Sequence, residues 1–356
     1  MLRLFPLQPP LPRTRCGSTV YFPLIDPPIL FSFGGLFDGI LQGDLYSFSF
    51  DPDASKPNLT AKVVATRVPA PTPRSDPLLA AADGHLFIWA GITNTDCAEQ
   101  DTQLYSLSLS TSSWSRYKVS GACPAARFGL TTAIFKGFSY IYAGTNMNRL
   151  VHDSLWRIDL DHLTSNVLWE EISSPCNPAA RTGHSDIVYD CAWLVFGGSS
   201  GRNVFNDTWK YNFSHKSWKS ISCSGSLPPP RQLNHSALRL GERMFVFGGV
   251  DGENTSLCDA WALDLLSYLW YEVALEGSAE ILKIAQLTAA WDETIYVLGG
   301  SATTPGLPLT PSLYHTLDCS QTSHLSTSSD SQLVFGALRD TIVVLPLELY
   351  PTNDPP

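Results

Sequence analysis

The sequence has few charged residues and no long apolar run. Of its 356 residues 16% are charged, and the formal net charge is −10. No apolar run approaches the ~20 residues that a membrane-spanning helix needs. An acidic chain has no broad electrostatic attraction for nucleic acid or anionic lipid. We therefore expect neither nucleic acid nor a membrane among the partners.

Signals for secretion and for metal binding are also missing. The N-terminal segment MLRLFPLQPPLPRTR has a brief, proline-interrupted apolar stretch and no small-residue cleavage site, which favours a cytoplasmic location. The eight cysteines are scattered without a CxxC pair, so we predict buried or free thiols and no metal site. A secreted, glycosylated and disulfide-bonded protein stays open as an alternative because five Asn-X-Ser/Thr sequons occur, at Asn58, Asn206, Asn212, Asn234 and Asn254.

Six apolar runs that end in a pair of small residues recur at a nearly constant interval. The glycines that close them are separated by 56, 53, 54, 51 and 51 residues. The runs are ILFSFGG, LFIWAG, YIYAG, WLVFGG, MFVFGG and TIYVLGG, closed by Gly35, Gly91, Gly144, Gly198, Gly249 and Gly300. A fixed period of this length indicates a repeat architecture.

Two aromatic anchors keep phase with these glycines. The first follows each glycine by 11 to 14 positions, as Tyr46, Tyr105, Trp156, Trp209, Trp261 and Tyr314. The second is a tryptophan in repeats two to five, found as Trp114, Trp169, Trp218 and Trp270. Asp44, Asp207 and Asp259 stand two residues before the first anchor, where we predict turn or backbone hydrogen-bonding roles.

Each period reads as four short antiparallel strands. Apolar runs rich in Val, Ile, Phe and Tyr are typical of buried strands, and paired glycines allow sharp turns between them. Four antiparallel strands in about fifty residues form one blade of a β-propeller. Because a single blade cannot cover both of its faces, blades pack around a common axis, and we expect the aromatic anchors to fill the wedges between them.

This combination of anchors resembles the kelch-repeat propellers. The glycine pair, the later Tyr or Trp, the final Trp and the PxxR and GHS elements carry the resemblance over residues 11 to 320. It implies an all-β, kelch-type β-propeller. We predict seven blades, of which six are complete repeats and one is split between residues 331–348 and the N-terminal strand, a clasp that removes open sheet edges. Six blades is the alternative. The propeller is expected to span residues 1–350 as a single domain, followed by a disordered C-terminal tail at 351–356.

No catalytic constellation is apparent. HExxH, GxSxG, P-loop and GxGxxG signatures are missing from suitable contexts, so we name no catalytic residue and no cofactor. His184 and His235 occupy the same place in two repeats, which favours a structural role. A small-molecule or metal-dependent enzyme that uses the propeller pocket is the alternative function.

Five arginines recur after proline-containing turns. Four stand 17 or 18 residues before the closing glycine and the fifth stands 20 before it; they are Arg74, Arg127, Arg181, Arg231 and, in repeat one, Arg15. By the kelch resemblance these positions border the axial pocket, where guanidinium groups could hold the carboxylates of a partner. Alternatively, each arginine bonds loop carbonyls or a neighbouring aspartate within its own blade.

These features predict a protein–protein interaction scaffold. We expect a monomer that binds a protein partner, with an acidic segment as a candidate, at the axial mouth and the inter-strand loops. Varied loops on a regular scaffold usually carry specificity. Here they are residues 93–103, 199–207, 250–259 and 301–311.

Overall fold

The chain folds into short strands joined by turns. The computed structural model describes residues 3–5, 15–23, 27–37, 39–50, 59–93, 101–225, 235–253, 255–257, 259–274, 287–291, 294–298, 315–318, 342–344 and 348–350. These ranges contain no helix. A search of the same ranges for a helix able to span a membrane finds no candidate.

Consecutive strands of each repeat lie side by side as antiparallel neighbours. In chain order the strands are β1 Arg3–Phe5, β2 Gly17–Tyr21, β3 Ile29–Phe33, β4 Leu36–Phe37, β5 Ile40–Leu41, β6 Leu45–Phe50, β7 Leu59–Val63, β8 Arg74–Ser75, β9 Leu78–Ala82, β10 His85–Trp89, β11 Ile92–Thr93, β12 Leu104–Ser108, β13 Ser113–Ser120, β14 Thr131–Phe135, β15 Phe138–Tyr142, β16 Leu155–Asp159, β17 Asn166–Ile172, β18 Ser185–Tyr189, β19 Ala192–Phe196, β20 Thr208–Asn212, β21 Ser217–Ile221, β22 Ser224–Gly225, β23 Ser236–Leu240, β24 Arg243–Phe247, β25 Ala260–Asp264, β26 Leu269–Ala274, β27 Leu287–Trp291, β28 Thr294–Leu298, β29 His315–Asp318, β30 Ile342–Val344 and β31 Glu348–Tyr350.

These strands form blades that pack radially. Blades 1 to 5 are the four-stranded units β2-β3-β6-β7, β9-β10-β12-β13, β14-β15-β16-β17, β18-β19-β20-β21 and β23-β24-β25-β26, and blade 6 is described as β27-β28-β29. Their first strands contact one another in chain order, β2 with β9, β9 with β14, β14 with β18, β18 with β23 and β23 with β27. The predicted all-β propeller is therefore confirmed.

Aromatic side chains fill the wedges between blades, as the repeat pattern predicts. In blades 2 to 5 the tryptophan of the fourth strand packs on the aromatic residue that ends the second strand of the preceding blade. Ring centroids lie 6.1, 5.2, 4.8 and 5.0 Å apart in the pairs Phe33–Trp114, Trp89–Trp169, Tyr142–Trp218 and Phe196–Trp270. All eight rings are buried, so each wedge gains a large apolar area.

In blades 2 to 5 the glycine that closes the apolar run is needed for a close approach between segments. At Gly198 the backbone has a φ of +89°, and a Cβ there would lie 2.9 Å from the Cβ of His184. L side chains rarely adopt this conformation. The residue before it tolerates a side chain, since alanine occupies that place in blades 2 and 3, at a φ of 54° for Ala90 and 61° for Ala143.

The N-terminal and C-terminal segments pair with each other, as predicted. β1 runs antiparallel to β30, with Leu4 opposite Val343. β31 adds antiparallel to β26 at the outer edge of blade 5, which the sequence did not predict. The choice between six and seven blades stays a prediction, because residues 319–341 lie outside the described residues, as does the predicted tail at 351–356.

Candidate functional site

The first strands of five blades begin around one cavity on the propeller axis. This axial cavity has a volume of about 270 Å³. Its lining comes from the residues just before and at the start of β2, β9, β14, β18 and β23, namely Arg15, Cys16, Gly17, Ser18, Asp76, Pro77, Leu78, Leu79, Gly129, Leu130, Thr131, Thr132, Gly183, His184, Asp186, His235 and Ser236. Equivalent positions of successive repeats thus meet at one mouth.

The loops between second and third strands lie on the same face as this mouth. Antiparallel order puts the start of each first strand and the end of each second strand at the same end of a blade. Backbone hydrogen bonds tie such ends together between neighbouring blades: the amide of Gly35 in blade 1 donates to the carbonyl of Arg74 in blade 2 at 2.9 Å, and that of Gly144 in blade 3 donates to the carbonyl of Arg181 in blade 4 at 2.9 Å. We call this the mouth face, and it comprises the axial cavity with loops 34–44, 144–154, 197–207 and 248–259.

Arg181 is a buried connector within the fourth blade. Its guanidinium donates from Nη1 to the carbonyl of Gly197 at 2.8 Å and from Nε to the carbonyl of Ala179 at 3.0 Å. Nη1 and Nη2 also reach the two carboxylate oxygens of Asp207 at 2.8 and 3.0 Å. Burial is the largest single effect and opposes ionisation of Asp207, but the hydrogen bonds and charge of Arg181 together with the Trp209 and backbone bonds outweigh it and lower the pKa of that carboxyl.

Arg74 makes the same set of contacts in blade 2. It donates to the carbonyls of Ala90 and Thr72, each at 2.9 Å, and to Oδ2 of Asp101 at 2.8 Å. Its side chain has no exposed area. The hydroxyl of Tyr105 donates to the same carboxylate oxygen at 2.8 Å. These in-blade contacts are the arrangement that the alternative interpretation of the arginines describes.

Arg127 differs because no carboxylate hydrogen-bonds to it among the described residues. It donates to the carbonyls of Ala125 and Ala143 at 3.0 and 3.2 Å and to the hydroxyl of Ser154 at 3.0 Å. Burial lowers the pKa of Arg127 to about 10, although the charges of Glu171 and Asp153 oppose that shift. Blade 3 thus keeps a buried guanidinium group without a paired acid.

Arg15 does not occupy the repeat position of the other arginines, so that alignment is wrong. Seven residues connect the first and second strands of blade 1, β2 and β3, whereas two residues connect the equivalent strands of the other four-stranded blades. In blade 1 the equivalent arginine position therefore lies five residues further before the closing glycine. Arg15 instead matches Asp76: both stand two residues before a first strand with a positive φ, of 60° and 48°. By this register Arg13, which lies outside the described residues, matches Arg74.

Arg15 and Asp76 form an ion pair at the cavity. Arg15 Nη2 lies 2.5 Å from Asp76 Oδ2, and the Arg15 side chain keeps 39% of its surface exposed. Burial raises the pKa of Asp76 even though the Arg15 charge lowers it. Of the five predicted arginines, Arg15 lines the axial cavity, whereas Arg74, Arg127 and Arg181 are buried beside it and Arg231 lies outside the described residues. Contact of these arginines with a partner stays a prediction.

The recurring aspartates have both backbone and side-chain roles. As predicted, the backbone carbonyls of Asp44, Asp207 and Asp259 accept hydrogen bonds from the first glycine of their own blade, at 3.1, 3.1 and 3.2 Å. The carboxylates of Asp207 and Asp259 also accept from the indole nitrogens two residues later, each at 2.7 Å. Sequence reasoning missed Asp101, because it stands four residues before its aromatic anchor and not two.

His184 has the structural contacts that its recurrence predicts, and it also lines the cavity. Its ring packs edge-on against Tyr142 with centroids 5.6 Å apart, as His235 packs against Phe196. Nε2 of His184 lies 2.8 Å from the hydroxyl of Thr131 in the preceding blade. Burial lowers the pKa of His184 well below its usual value, so the ring is neutral at physiological pH.

Asp186 is a cavity residue that sequence reasoning did not single out. The indole nitrogen of Trp193 donates to its Oδ2 at 2.6 Å. Burial raises the pKa of this carboxyl to about 7, against the opposing effect of the Trp193 bond. A polar residue in an otherwise apolar alternating strand is the signal that could have found it, since Asp186 interrupts the run SDIVY.

Metal ligation and disulfides are not features of the described residues. Within those ranges no group of three or more His, Cys, Asp or Glu side chains is placed to hold a metal ion. The thiols of Cys123, Cys176, Cys191 and Cys223 are free. The described lining of the axial cavity thus combines apolar and hydrogen-bonding groups with the Arg15–Asp76 ion pair and the Asp186 carboxyl.

Comparison with known proteins supports a kelch assignment. The family model described as the KLHDC2/KLHL20/DRC7 Kelch-repeats domain matches residues 4–173 and 100–300. Leucine-zipper-like transcriptional regulator 1 homolog of Drosophila melanogaster is 26% identical over 76% of this chain and 28% of its own length. Kelch domain-containing protein 3 of Bos taurus is 25% identical over 63% of this chain and 60% of its length.

A third relative is more similar over a shorter stretch. Tip elongation aberrant protein 1 of Schizosaccharomyces pombe is 34% identical over 40% of this chain and 13% of its own length. The chain thus covers between about an eighth and three fifths of these relatives. The matched family model covers most of the chain, and the propeller has the anchors that define its repeat, so the protein belongs to the kelch-repeat family.

Proposed function

We propose that this protein binds a protein partner on its mouth face. Kelch-repeat homologues point to a protein-interaction scaffold, and no observation on the described residues favours the enzyme alternative. The observation that carries the proposal is the clustering of exposed apolar side chains on two mouth-face loops. These are Phe37 and Ile40 in blade 1, and Met147 and Leu150 in blade 3.

Paired apolar tips distinguish the mouth face from the opposite one. Single exposed apolar residues are normal on a protein surface, but grouped ones mark interaction sites. Among the described residues of the opposite face, the large exposed apolar side chains are separate from one another: Phe22 follows β2, and Leu266 lies between β25 and β26. The loop tips flank the axial cavity, so a partner can contact the loops and place one group in the cavity.

A matched pair of variants tests this proposal. Met147→Asp/Leu150→Asp adds two negative charges to the mouth face, and Phe22→Asp/Leu266→Asp adds the same two to the opposite face. Proteins captured from a cell extract by the immobilised chain are quantified for wild type and both variants. We expect the mouth-face variant to lose a specific set of proteins that the opposite-face variant retains. Equal capture by both variants would overturn the proposal.

The acidic character of the partner and the monomeric state stay predictions within this proposal. Arg74 and Arg181 are neutralised by Asp101 and Asp207, so they give little support to an acidic partner. Arg15 is the arginine with exposed surface at the cavity. If Arg15 holds a partner carboxylate, Arg15→Ala weakens capture more than Arg243→Ala, whose exposed side chain is at the start of β24, at the opposite end of its blade.

We also propose that the protein is cytoplasmic. Cys123, Cys176 and Cys191 are exposed free thiols, and such thiols persist in a reducing compartment. Intact-mass measurement of the protein from its source cells, before and after reduction and deglycosylation, tests this. An unchanged mass supports the proposal, whereas a glycan or disulfide mass shift contradicts it.

A further inference from the structure

One wall of the axial cavity carries a carboxylate whose hydrogen bonding is half complete. Asp186 is the second residue of β18, and its Oδ2 accepts the 2.6 Å bond from the Trp193 indole. Trp193 has no exposed surface and packs on Tyr142 and Trp218, so it holds that oxygen in place. Oδ1 has no hydrogen-bond partner among the described residues, and no described basic side chain forms an ion pair with Asp186.

His184 adds a second incomplete polar group to the same wall. It is 5% exposed and lines the cavity two residues before Asp186. Nε2 lies against the Thr131 hydroxyl, but Nδ1 has no hydrogen-bond partner within the described part of the chain. Buried polar groups normally find partners, and one without a partner in a cavity wall points to a ligand or a bound water.

The charges around the cavity leave one acid unbalanced. Arg15 and Asp76 neutralise each other, and Arg181 is neutralised by Asp207. The His184 ring is neutral, because burial and the charges of Arg181 and His235 all disfavour its protonated form. His184 therefore supplies no positive charge to balance Asp186. Asp186 is therefore the lining carboxylate without a described counter-ion, and a cation in the cavity would offset the cost of burying its charge.

Size and geometry select the kind of cation. A cavity of 270 Å³ falls just below the range of roughly 300–1,000 Å³ typical for small-molecule ligands, so it suits a single side chain or chain end. The Trp193 indole takes one hydrogen-bonding position of Oδ2, so a guanidinium group that bound both carboxylate oxygens of Asp186 would share Oδ2 with it. Arg181 shares Oδ2 of Asp207 with Trp209 in this way. A primary ammonium is a compact charge that needs only Oδ1.

We propose that the axial cavity receives one primary ammonium group of the partner, a lysine side chain or a free amino terminus, which binds Oδ1 of Asp186. This inference rests on the proposed function, because the mouth face must be the docking face. It gives the partner a specific chemistry at the centre of the interface, while the apolar loop tips contact the surrounding surface.

The test uses n-butylammonium chloride as a probe for the intact chain. The Trp193 indole N–H resonance, assigned with Trp193→Phe, reports on its hydrogen bond to Asp186. We expect a saturable shift at pH 8 in wild type and in Asp190→Asn, which removes an exposed acid from the opposite face. Affinity falls at least tenfold in Asp186→Asn. It also falls in wild type at pH 5.5, because burial raises the pKa of Asp186 to about 7 and the probe must then displace a proton.

Neutral and anionic probes give the contradicting outcomes. Binding of n-butanol or sodium butyrate as strong as that of n-butylammonium would overturn the inference, as would equal binding by wild type and Asp186→Asn. The comparison of n-butylammonium affinity at pH 8 and pH 5.5 uses the wild-type protein alone, so it tests the inference even if Asp186→Asn does not fold. An acetylated lysine-containing tripeptide amide and an unacetylated triglycine amide then separate the lysine source from the amino-terminal source.

The inference and the proposed function can fail separately. If capture depends on Met147 and Leu150 but n-butylammonium does not bind, the ammonium site is wrong and the docking face stands. If n-butylammonium binds but capture is indifferent to the mouth-face substitutions, the docking face is wrong.

Discussion

Arg181 and Asp207 form a two-bond ion pair that joins the start of the fourth blade's first strand to the start of its third. The guanidinium nitrogens Nη1 and Nη2 lie 2.8 and 3.0 Å from the two carboxylate oxygens. The backbone carbonyl of Arg181 accepts the amide of Gly144 in the preceding blade at 2.9 Å. One arginine therefore links three segments of two blades, which explains why this residue recurs with the repeat.

Removal of this arginine is expected to destabilise the fold. Arg181→Ala leaves the carboxylate of Asp207 without its counter-ion and the carbonyl of Gly197 without the guanidinium donor, so the free energy of unfolding should fall by about 3 kcal/mol. Urea denaturation followed by tryptophan fluorescence measures this. Arg202→Ala, at an exposed position, should change stability by no more than about 0.5 kcal/mol. Equal effects of the two substitutions would refute the connector role.

The wedge tryptophans make a second prediction. Trp218 is buried against Tyr142 and Tyr211, with ring centroids 4.8 and 5.0 Å away. Trp218→Ala leaves a cavity between blades 3 and 4, and we expect a loss of about 3–5 kcal/mol in the free energy of unfolding. Leu266→Ala, on the opposite face, is the control and should be nearly neutral. A loss below about 1 kcal/mol for Trp218→Ala would argue against tight packing of this wedge.

Substitutions at the two positions of the glycine pair are expected to change the stability of the fold in opposite directions. Gly198→Ala places a Cβ against His184 at a φ of +89°, so it should destabilise the fold by more than about 1 kcal/mol. Ala143→Gly relieves a left-handed alanine at a φ of 61°, and it should be neutral or stabilising by up to about 1 kcal/mol. Thermal unfolding of both variants checks the signs, and stabilisation by Gly198→Ala would contradict this geometry.

Asp186 gives the fold a pH dependence with a definite sign. Its pKa is raised by burial from an ordinary value of 3.8 to about 7 in the folded state. Its contribution to stability is therefore fully present below the ordinary value and is lost as the pH rises through about 7. Asp186→Asn keeps a neutral acceptor for Trp193 at every pH.

The comparison is between variant and wild type at two pH values. At pH 4.5, where most of the Asp186 contribution is still present, their urea midpoints should differ less than at pH 8. At pH 8 the variant should be more stable by at least about 1 kcal/mol, the free energy of roughly one pKa unit. A constant difference between the two proteins from pH 4.5 to pH 8 would show that the Asp186 carboxyl does not titrate in this window.

The repeat anchors predicted the fold well, because they are local and periodic. Gly198, Trp209 and Trp218 have counterparts at similar spacings in neighbouring repeats, and these spacings reflect the strands and turns of one blade. The error at Arg15 arose in blade 1, where the spacing differs. Seven residues connect β2 to β3, so the arginine position lies further before the closing glycine than in the other blades. The sequence alone does not show whether the extra residues lie before β2 or between β2 and β3.

The candidate site was harder to predict because it forms between repeats. The axial cavity brings together residues more than 200 positions apart, such as Arg15 and His235. Asp186 has no counterpart in phase, so a search for recurring residues passes over it. The arginines recurred strongly and suggested a partner site, yet burial and the pairing with Asp101 and Asp207 depend on loop geometry that spacing does not encode.

The location of the partner is the central claim, and site-specific photocross-linking tests it most directly. Benzoylphenylalanine is placed at Met147 on the mouth face in one version of the chain and at Leu266 on the opposite face in another. After irradiation with the captured partner, we predict a covalent complex from position 147 and none above background from position 266. Cross-linking from position 266 alone, or equally from both positions, would contradict binding at the mouth face.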